Sequence, residues 1–142
     1  MSKKIAFMGT PTISGQILKS LYQNGFDIEV VYTQPPVASN RGHRLNKSPV
    51  HIMAEILNIP VRTPIVLDNT EEKNFLHKQN ISLGIVVAYG QILKKDILKI
   101  PKYGWINIHY SLLPKLRGAA PIQRAIMENE TSTGISIMKI NE

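Results

Sequence analysis

Asn107 and His109 stand two residues apart in the run Trp105-Ile-Asn-Ile-His109, where they alternate with Ile106 and Ile108. That alternation predicts a strand, and residues two apart on a strand share a face. A carboxamide donates through its N–H₂, and an imidazole carries a donor and an acceptor nitrogen. The pair suits a reaction in which negative charge builds on an oxygen while a proton moves nearby. A hydrogen-bonded strand surface is the plainer use of the same two residues. In parallel α/β sheets, ligands bind outside the carboxyl ends of the strands, and this pair closes an apolar strand. The chain then turns through Ser111-Leu-Leu-Pro114, loosens at Gly118 and reaches Pro121, which fits the first turn of a helix.

The elements that must carry the pair are readable in order. Lys4 to Met8 is a short apolar run ending at Gly9, the pattern of a buried strand. Thr10 is the expected cap of the next helix, with Pro11 at its first position and Ile13, Ile17, Leu18 and Leu21 as its inward stripe. Gly25 is the expected stop. The three-glycine dinucleotide fingerprint is absent, although a helix start after the first strand can still receive an anion. Asp27 to Thr33 reads as a second strand, and Ser48 as the cap of a helix carrying Val50, Met53, Ala54 and Leu57. Ile59 to Val61 reads as a short strand, followed by a helix from Asn69 or Thr70 to about Gln79 with Phe75 and Leu76 inward. Leu83 to Tyr89 is the most apolar run and is rich in β-branched residues, which predicts a central strand buried on both faces. A short helix from Leu93 to Ile100, stopped by Pro101, precedes the Asn107 strand. A helix over Pro121–Glu128, a turn at Thr131–Gly134 and a last strand through Ile135, Ile137 and Ile140 complete the chain. Strands alternating with helices predict an α/β fold, a doubly wound and mostly parallel sheet.

Composition narrows the function classes. The 142 residues suffice for one domain with a sizeable core. No apolar run approaches the roughly 20 residues that span a bilayer, and the apolar stretch after Met1-Ser-Lys-Lys4 is too short for a signal peptide. There are no cysteines, and His43, His51, His77 and His109 are widely spaced. A cytoplasmic protein without membrane contact and without a metal is expected. The net charge of +7 suits a polyanionic partner, nucleic acid being the usual one, or general solubility, and alone favours neither strongly. Arg41, Arg44 and Lys47 lie in an acid-free segment from Gln34 to Lys47, between a strand and a helix. Such connections usually run about 2–6 residues, so this one is either an idle insertion or a loop that reaches a phosphate backbone.

The longer string Asn107-Ile-His-Tyr-Ser-Leu-Leu-Pro114 resembles the signature of the 10-formyltetrahydrofolate-dependent formyltransferases. Its continuation, Lys115-Leu-Arg-Gly-Ala-Ala-Pro-Ile-Gln123, is similar to the branch that formylates initiator methionyl-tRNA. The resemblance implies a Rossmann-like formyltransferase domain and transfer of a formyl group from 10-formyltetrahydrofolate, the donor substrate, to the methionyl amino group for translation initiation. It implies Asn107 and His109 as catalytic residues. It implies a folate pocket bordered by Val87, Ala88, Tyr89 and Ile92, largely through backbone groups, and by Ser111, Leu112, Leu113 and Pro114. The branch carries a basic loop with Arg-Gly and then Ser-Pro-Val that enters the tRNA acceptor stem. Arg41-Gly42 and Ser48-Pro49-Val50 match it, which assigns Arg41, Gly42, His43, Arg44 and Lys47 to tRNA binding; His43 and Arg44 replace the more usual paired lysines.

Family members also place an aspartate a few residues after a strand like Gly134–Glu142, in a Leu-Asp-Thr-Gly segment. Glu142 is not at the matching place. The resemblance therefore implies that residues 1–142 are a formyltransferase catalytic domain truncated at its C-terminus, without the C-terminal tRNA-binding domain and with little or no activity alone. The full-length enzyme is expected to be a monomer. Three other readings stay open: a formyltransferase for a small amine such as glycinamide ribonucleotide or an amino sugar nucleotide, a non-enzymatic folate- or RNA-binding remnant, and a generic nucleotide-binding domain. The basic loop and Arg117-Gly-Ala-Ala-Pro-Ile-Gln123 argue against the first, and the missing glycine fingerprint against the last.

Overall fold

The computed structural model describes residues 3–39, 42, 44–109 and 135–141. Its first strand, β1 (Lys4–Gly9), is buried from Ile5 onward and leads into α1 (Thr12–Gln23). Pro11, not Thr10, occupies the cap position of α1, and no side chain caps that helix. Gly25, at φ +84°, turns the chain into β2 (Asp27–Tyr32). The long basic connection is neither a floppy insertion nor a plain loop. It folds back on itself as an antiparallel hairpin, β3 (Val37–Ala38) against β4 (Leu45–Asn46), closed by Ser39 N donating to the Arg44 carbonyl at 2.9 Å.

Helix α2 (Pro49–Ile56) begins where the sequence predicts: the Ser48 hydroxyl accepts from His51 N at 3.0 Å. The next strand, β5 (Val61–Arg62), starts two residues later than predicted, because Pro60 lacks an N–H for the ladder and offers only its carbonyl to Val31. Helix α3 (Thr70–Gln79) is capped by Asn69 Oδ1, which accepts from Glu72 N at 2.8 Å, and it ends at Asn80 in the left-handed region. Strand β6 (Leu83–Val87) stops two residues short of the predicted Tyr89, since Ala88 turns to φ +51°. Helix α4 (Lys95–Leu98) is shorter than predicted, and β7 (Trp105–His109) is as predicted. Strand β8 (Ser136–Lys139) completes the described chain. The predicted helix over residues 121–128 and the turn at 131–134 lie outside the described residues.

The main sheet has the order β5-β2-β1-β6-β7-β8. Its first five strands are parallel, and β8 runs antiparallel along β7. Side-chain alternation splits the core into two layers. Ala6, Met8, Val30, Tyr32, Val86 and Trp105 face one way, toward Leu76 of α3 and Ile97 of α4. Ile5, Phe7, Ile28, Val31, Ile85 and Val87 face the other, toward Leu18 of α1 and Val50 and Ala54 of α2. Helices on both faces of a mostly parallel sheet make the doubly wound α/β arrangement that the sequence predicts. Among the described residues no helix is long and apolar enough to cross a membrane.

Trp105 fixes the start of β7. It is fully buried, donates Nε1–H to the Ile97 carbonyl at 2.9 Å, and lies flat against Gly84 of β6, where any Cβ would fall inside the indole ring. A large aromatic opposite a glycine sets the register that pairs Gly84 with Trp105, Ile85 with Ile106 and Val86 with Asn107.

Candidate active site at the carboxyl edge of the sheet

The five parallel strands end on one edge. There the strand order reverses: the chain leaves β1 toward β2 and β5, then returns to β1's other side as β6 and moves on to β7. Such a reversal opens a crevice outside the strand ends, the place where doubly wound sheets bind ligands. The carboxyl ends of β1 and β6, at Gly9 and Val87, line it side by side.

Close approach at this point has a sequence cause. A Cβ on Gly9 would meet the Val87 carbonyl oxygen at 2.7 Å and the Ser14 Cβ at 2.9 Å. Glycine lets α1 drop against β6, and the buried Ser14 hydroxyl donates to the Val87 carbonyl at 2.5 Å. Thr10, the predicted cap residue, acts elsewhere. Its hydroxyl donates to the Tyr89 carbonyl at 2.7 Å and lies 3.4 Å from Gln34 N. Two hydroxyls from the start of α1 thus hold the loop that follows β6.

That loop is also clamped from its far side. Gln91 Nε2 donates to the Pro64 carbonyl at 3.0 Å and reaches Gln34 Oε1 at 3.3 Å, while Gln91 Oε1 accepts from Leu67 N at 2.7 Å. Gly90 has φ +103°, and a Cβ there would meet Gln34 Nε2 at 2.6 Å. Ala88 holds φ +51°, a conformation that costs an L-residue about 1–2 kcal/mol. The hydroxyl and amide contacts on either side keep it there, and backbone held in sparsely populated regions clusters at functional sites.

The four residues named from the sequence for this loop separate by exposure. Val87 and Tyr89 are buried and serve the two core layers, whereas Ala88 is exposed and Ile92 is 85% exposed. The side chains free to meet a ligand are those of Ala88 and Ile92, together with the loop backbone. Burial, and then the Glu72 carboxylate, push the Tyr89 and Tyr32 phenols above their ordinary value, so both stay protonated. The Tyr32 hydroxyl is buried beside the Glu72 carboxylate. Beneath this face, Arg62 Nε and Nη2 grip the buried Glu72 carboxylate at 2.6–2.9 Å, with the guanidinium 3.9 Å above the Phe75 ring.

Asn107 and His109 stand on β7, one strand beyond the crevice. Asn107 lies opposite Val86 of β6 and Met138 of β8, and His109 opposite Ser136. By strand alternation from Trp105, both belong to the face that carries Tyr32 and Tyr89, and both are part-buried. The polar pair and the strained loop therefore occupy the same edge and the same face of the sheet. Ser111, Leu112, Leu113 and Pro114 lie outside the described residues.

Of the basic loop, Gly42, Arg44 and Lys47 are described, and Arg41 and His43 lie outside the described residues. Gly42 sits at the hairpin tip with φ +80°, and Arg44 is exposed beside it. Lys47 points back instead: its ammonium binds Glu55 Oε1 at 2.5 Å, and Glu55 also meets His51 Nε2 at 3.1 Å. The Lys47 contact holds the Glu55 carboxyl below its ordinary value. No group of acid, histidine or cysteine side chains among the described residues is arranged to hold a metal. Thr10, Ser14 and Gln34 hold this loop in ways the sequence did not show, whereas Gln91 stands in the Tyr89-Gly90-Gln91 run that the sequence places on the ligand side.

Residues 3–142 match the formyl transferase family. The chain is 59% identical over its whole length to a methionyl-tRNA formyltransferase of Pelagibacter ubique, of which it spans 46%, and 48% identical over 98% of its length to that of Caulobacter vibrioides, of which it spans 45%. It thus spans about half the length of the curated relatives it matches. In fold it is similar to a phosphoribosylglycinamide formyltransferase from Bacillus halodurans, with a TM-score of 0.75 at 21% identity, covering 99% of this chain and 73% of that one. Fold, crevice and whole-chain likeness agree, and the chain belongs to the formyl transferase family.

Proposed function

We propose that this chain is the catalytic-domain portion of an enzyme that moves a formyl group from 10-formyltetrahydrofolate to the amino group of initiator methionyl-tRNA. The observation that carries the reading is the polar pair Asn107 and His109 at the carboxyl edge, on the face of the strained switch-point loop, in a chain so similar to methionyl-tRNA formyltransferases. The acceptor amine attacks the formyl carbon, the carbonyl oxygen becomes an oxyanion, and the bond from carbon to N10 then breaks. Asn107 donates its amide N–H to the oxyanion. His109 assists as a donor and carries the amine's proton toward the leaving nitrogen. The backbone of residues 88–92, with Ala88 and Ile92, borders the pterin end of the folate, and Ser111, Leu112, Leu113 and Pro114 also take part in binding it. Arg41, Gly42, His43, Arg44 and Lys47 meet the acceptor stem; Arg44, beside the hairpin tip, supplies charge directly, and Lys47 braces the hairpin against α2.

The catalytic aspartate and a C-terminal tRNA-binding domain belong, in this reading, to the remaining length seen in the relatives. The enzyme works in the cytoplasm as a monomer. The test is formyl transfer by the full-length protein from 10-formyltetrahydrofolate, with methionyl-tRNA, glycinamide ribonucleotide and an amino sugar nucleotide as competing acceptors. Preference for methionyl-tRNA supports the reading, and preference for a small amine overturns it.

A further inference from the structure

The opposite edge of the sheet carries a second basic surface. At the amino ends of β1 and β6, a groove of about 510 Å³ is lined by Lys3, Lys4, Asn80, Ser82, Lys102 and Tyr103, with no acidic residue among its described lining. Tyr103 is half-exposed, and two ammonium groups flank its ring: Lys3 Nζ at 5.5 Å and Lys102 Nζ at 5.3 Å from the centroid. Lys4 reaches Glu29 at 3.8 Å and remains more than a third exposed. The backbone that carries the ring is fixed, because Tyr103 N donates to the Ser82 carbonyl at 2.8 Å and Gly104 turns the chain into β7 at φ +76°. From Lys4 in this groove to Gly9, the two ends of β1, the strand spans on the order of 17 Å at its usual rise.

We propose that this groove binds single-stranded RNA, with one base stacked on Tyr103 and the flanking phosphates on Lys3, Lys4 and Lys102. An aromatic face among cations is how sequence-tolerant sites hold a single strand. The groove is larger than one phosphate needs, and its polar amide and hydroxyl, Asn80 and Ser82, suit base edges or ribose hydroxyls. Three lysines gathered in the groove favour a chain of phosphates over a single anion. The surface lies on the edge remote from Asn107 and His109, so it stands independently of the proposed formyl transfer.

The test is fluorescence anisotropy of a labelled uridine octamer on the full-length protein at several salt concentrations. Tyr103→Ala is expected to weaken binding about fivefold or more, the loss of one stacked base, and Tyr103→Trp to preserve it. Lys3→Gln and Lys102→Gln are each expected to reduce the slope of log affinity against log salt by about 0.7. Unchanged affinity in Tyr103→Ala together with unchanged slopes in the lysine variants would overturn the proposal. Uridine monophosphate binding as tightly as the octamer would also overturn it, by marking a small-anion site.

Discussion

Gly84 and Trp105 should be strongly coupled, because each is the reason for the other. Trp105→Phe removes the Nε1 donor; the Ile97 carbonyl keeps the Ile100 N–H at 3.2 Å, so the loss is that of one hydrogen bond, about 0.5–1.5 kcal/mol. The missing ring atoms add roughly 1–2 kcal/mol, at about 0.8 kcal/mol per buried carbon unit. Gly84→Ala, with Trp105 intact, drives a methyl into the indole and should cost about 1–3 kcal/mol or more by overpacking. In the double variant the smaller ring leaves room for the methyl, so the summed costs should overshoot the measured one by about 1–2 kcal/mol, within the usual range for contacting pairs. Urea unfolding followed by circular dichroism measures the full cycle. Costs that add to within about 0.5 kcal/mol would refute the packing argument. Since β7 carries Asn107 and His109 downstream of this anchor, the single variants should also lose formyl-transfer rate.

Arg62→Ala strands the buried Glu72 carboxylate and should destabilise by about 3 kcal/mol, the low end for a broken buried pair because Arg62 is partly exposed; adding Glu72→Gln should recover part of that loss in the same urea assay. Gln91→Ala removes the acceptor of buried Leu67 N and the tie to Pro64, so the folate KM should rise and stability should fall by about 1–3 kcal/mol; an unchanged KM would detach this loop from the folate site. The Glu55 carboxyl is depressed by Lys47, so their contact contributes stability above the ordinary carboxylate pKa of 4.5 and loses it as pH falls through the lower folded-state value. Lys47→Ala should move the Glu55 titration up toward 4.5 by NMR, and no movement would reject the pairing.

Much of the scaffold was legible because apolar alternation and caps act locally. Ser48 and Asn69 cap the helices they precede. What stayed hidden depends on long-range contacts. Thr10 reads as a helix cap from its neighbours, yet its hydroxyl is drawn to the Tyr89 carbonyl, 79 residues away. The end of β6 looks apolar through Tyr89, but the left-handed turn at Ala88 is imposed by contacts from α1 and Gln34. The hairpin inside the basic connection was invisible because its strands are two residues each, with no periodicity to read. The pair proposed for the site was marked in the sequence by residue type, spacing and position, but these alone fit a hydrogen-bonded strand surface better, and the resemblance of the longer string from Asn107 to Pro114 carried the assignment.

The most direct test is single-turnover formyl transfer to methionyl-tRNA by full-length His109→Ala and Asn107→Ala. Each variant should lose on the order of 10²–10³ in rate, the usual consequence of removing one oxyanion donor, while folate and tRNA binding persist. Wild-type rates in both variants would contradict the assignment of the catalytic centre to β7.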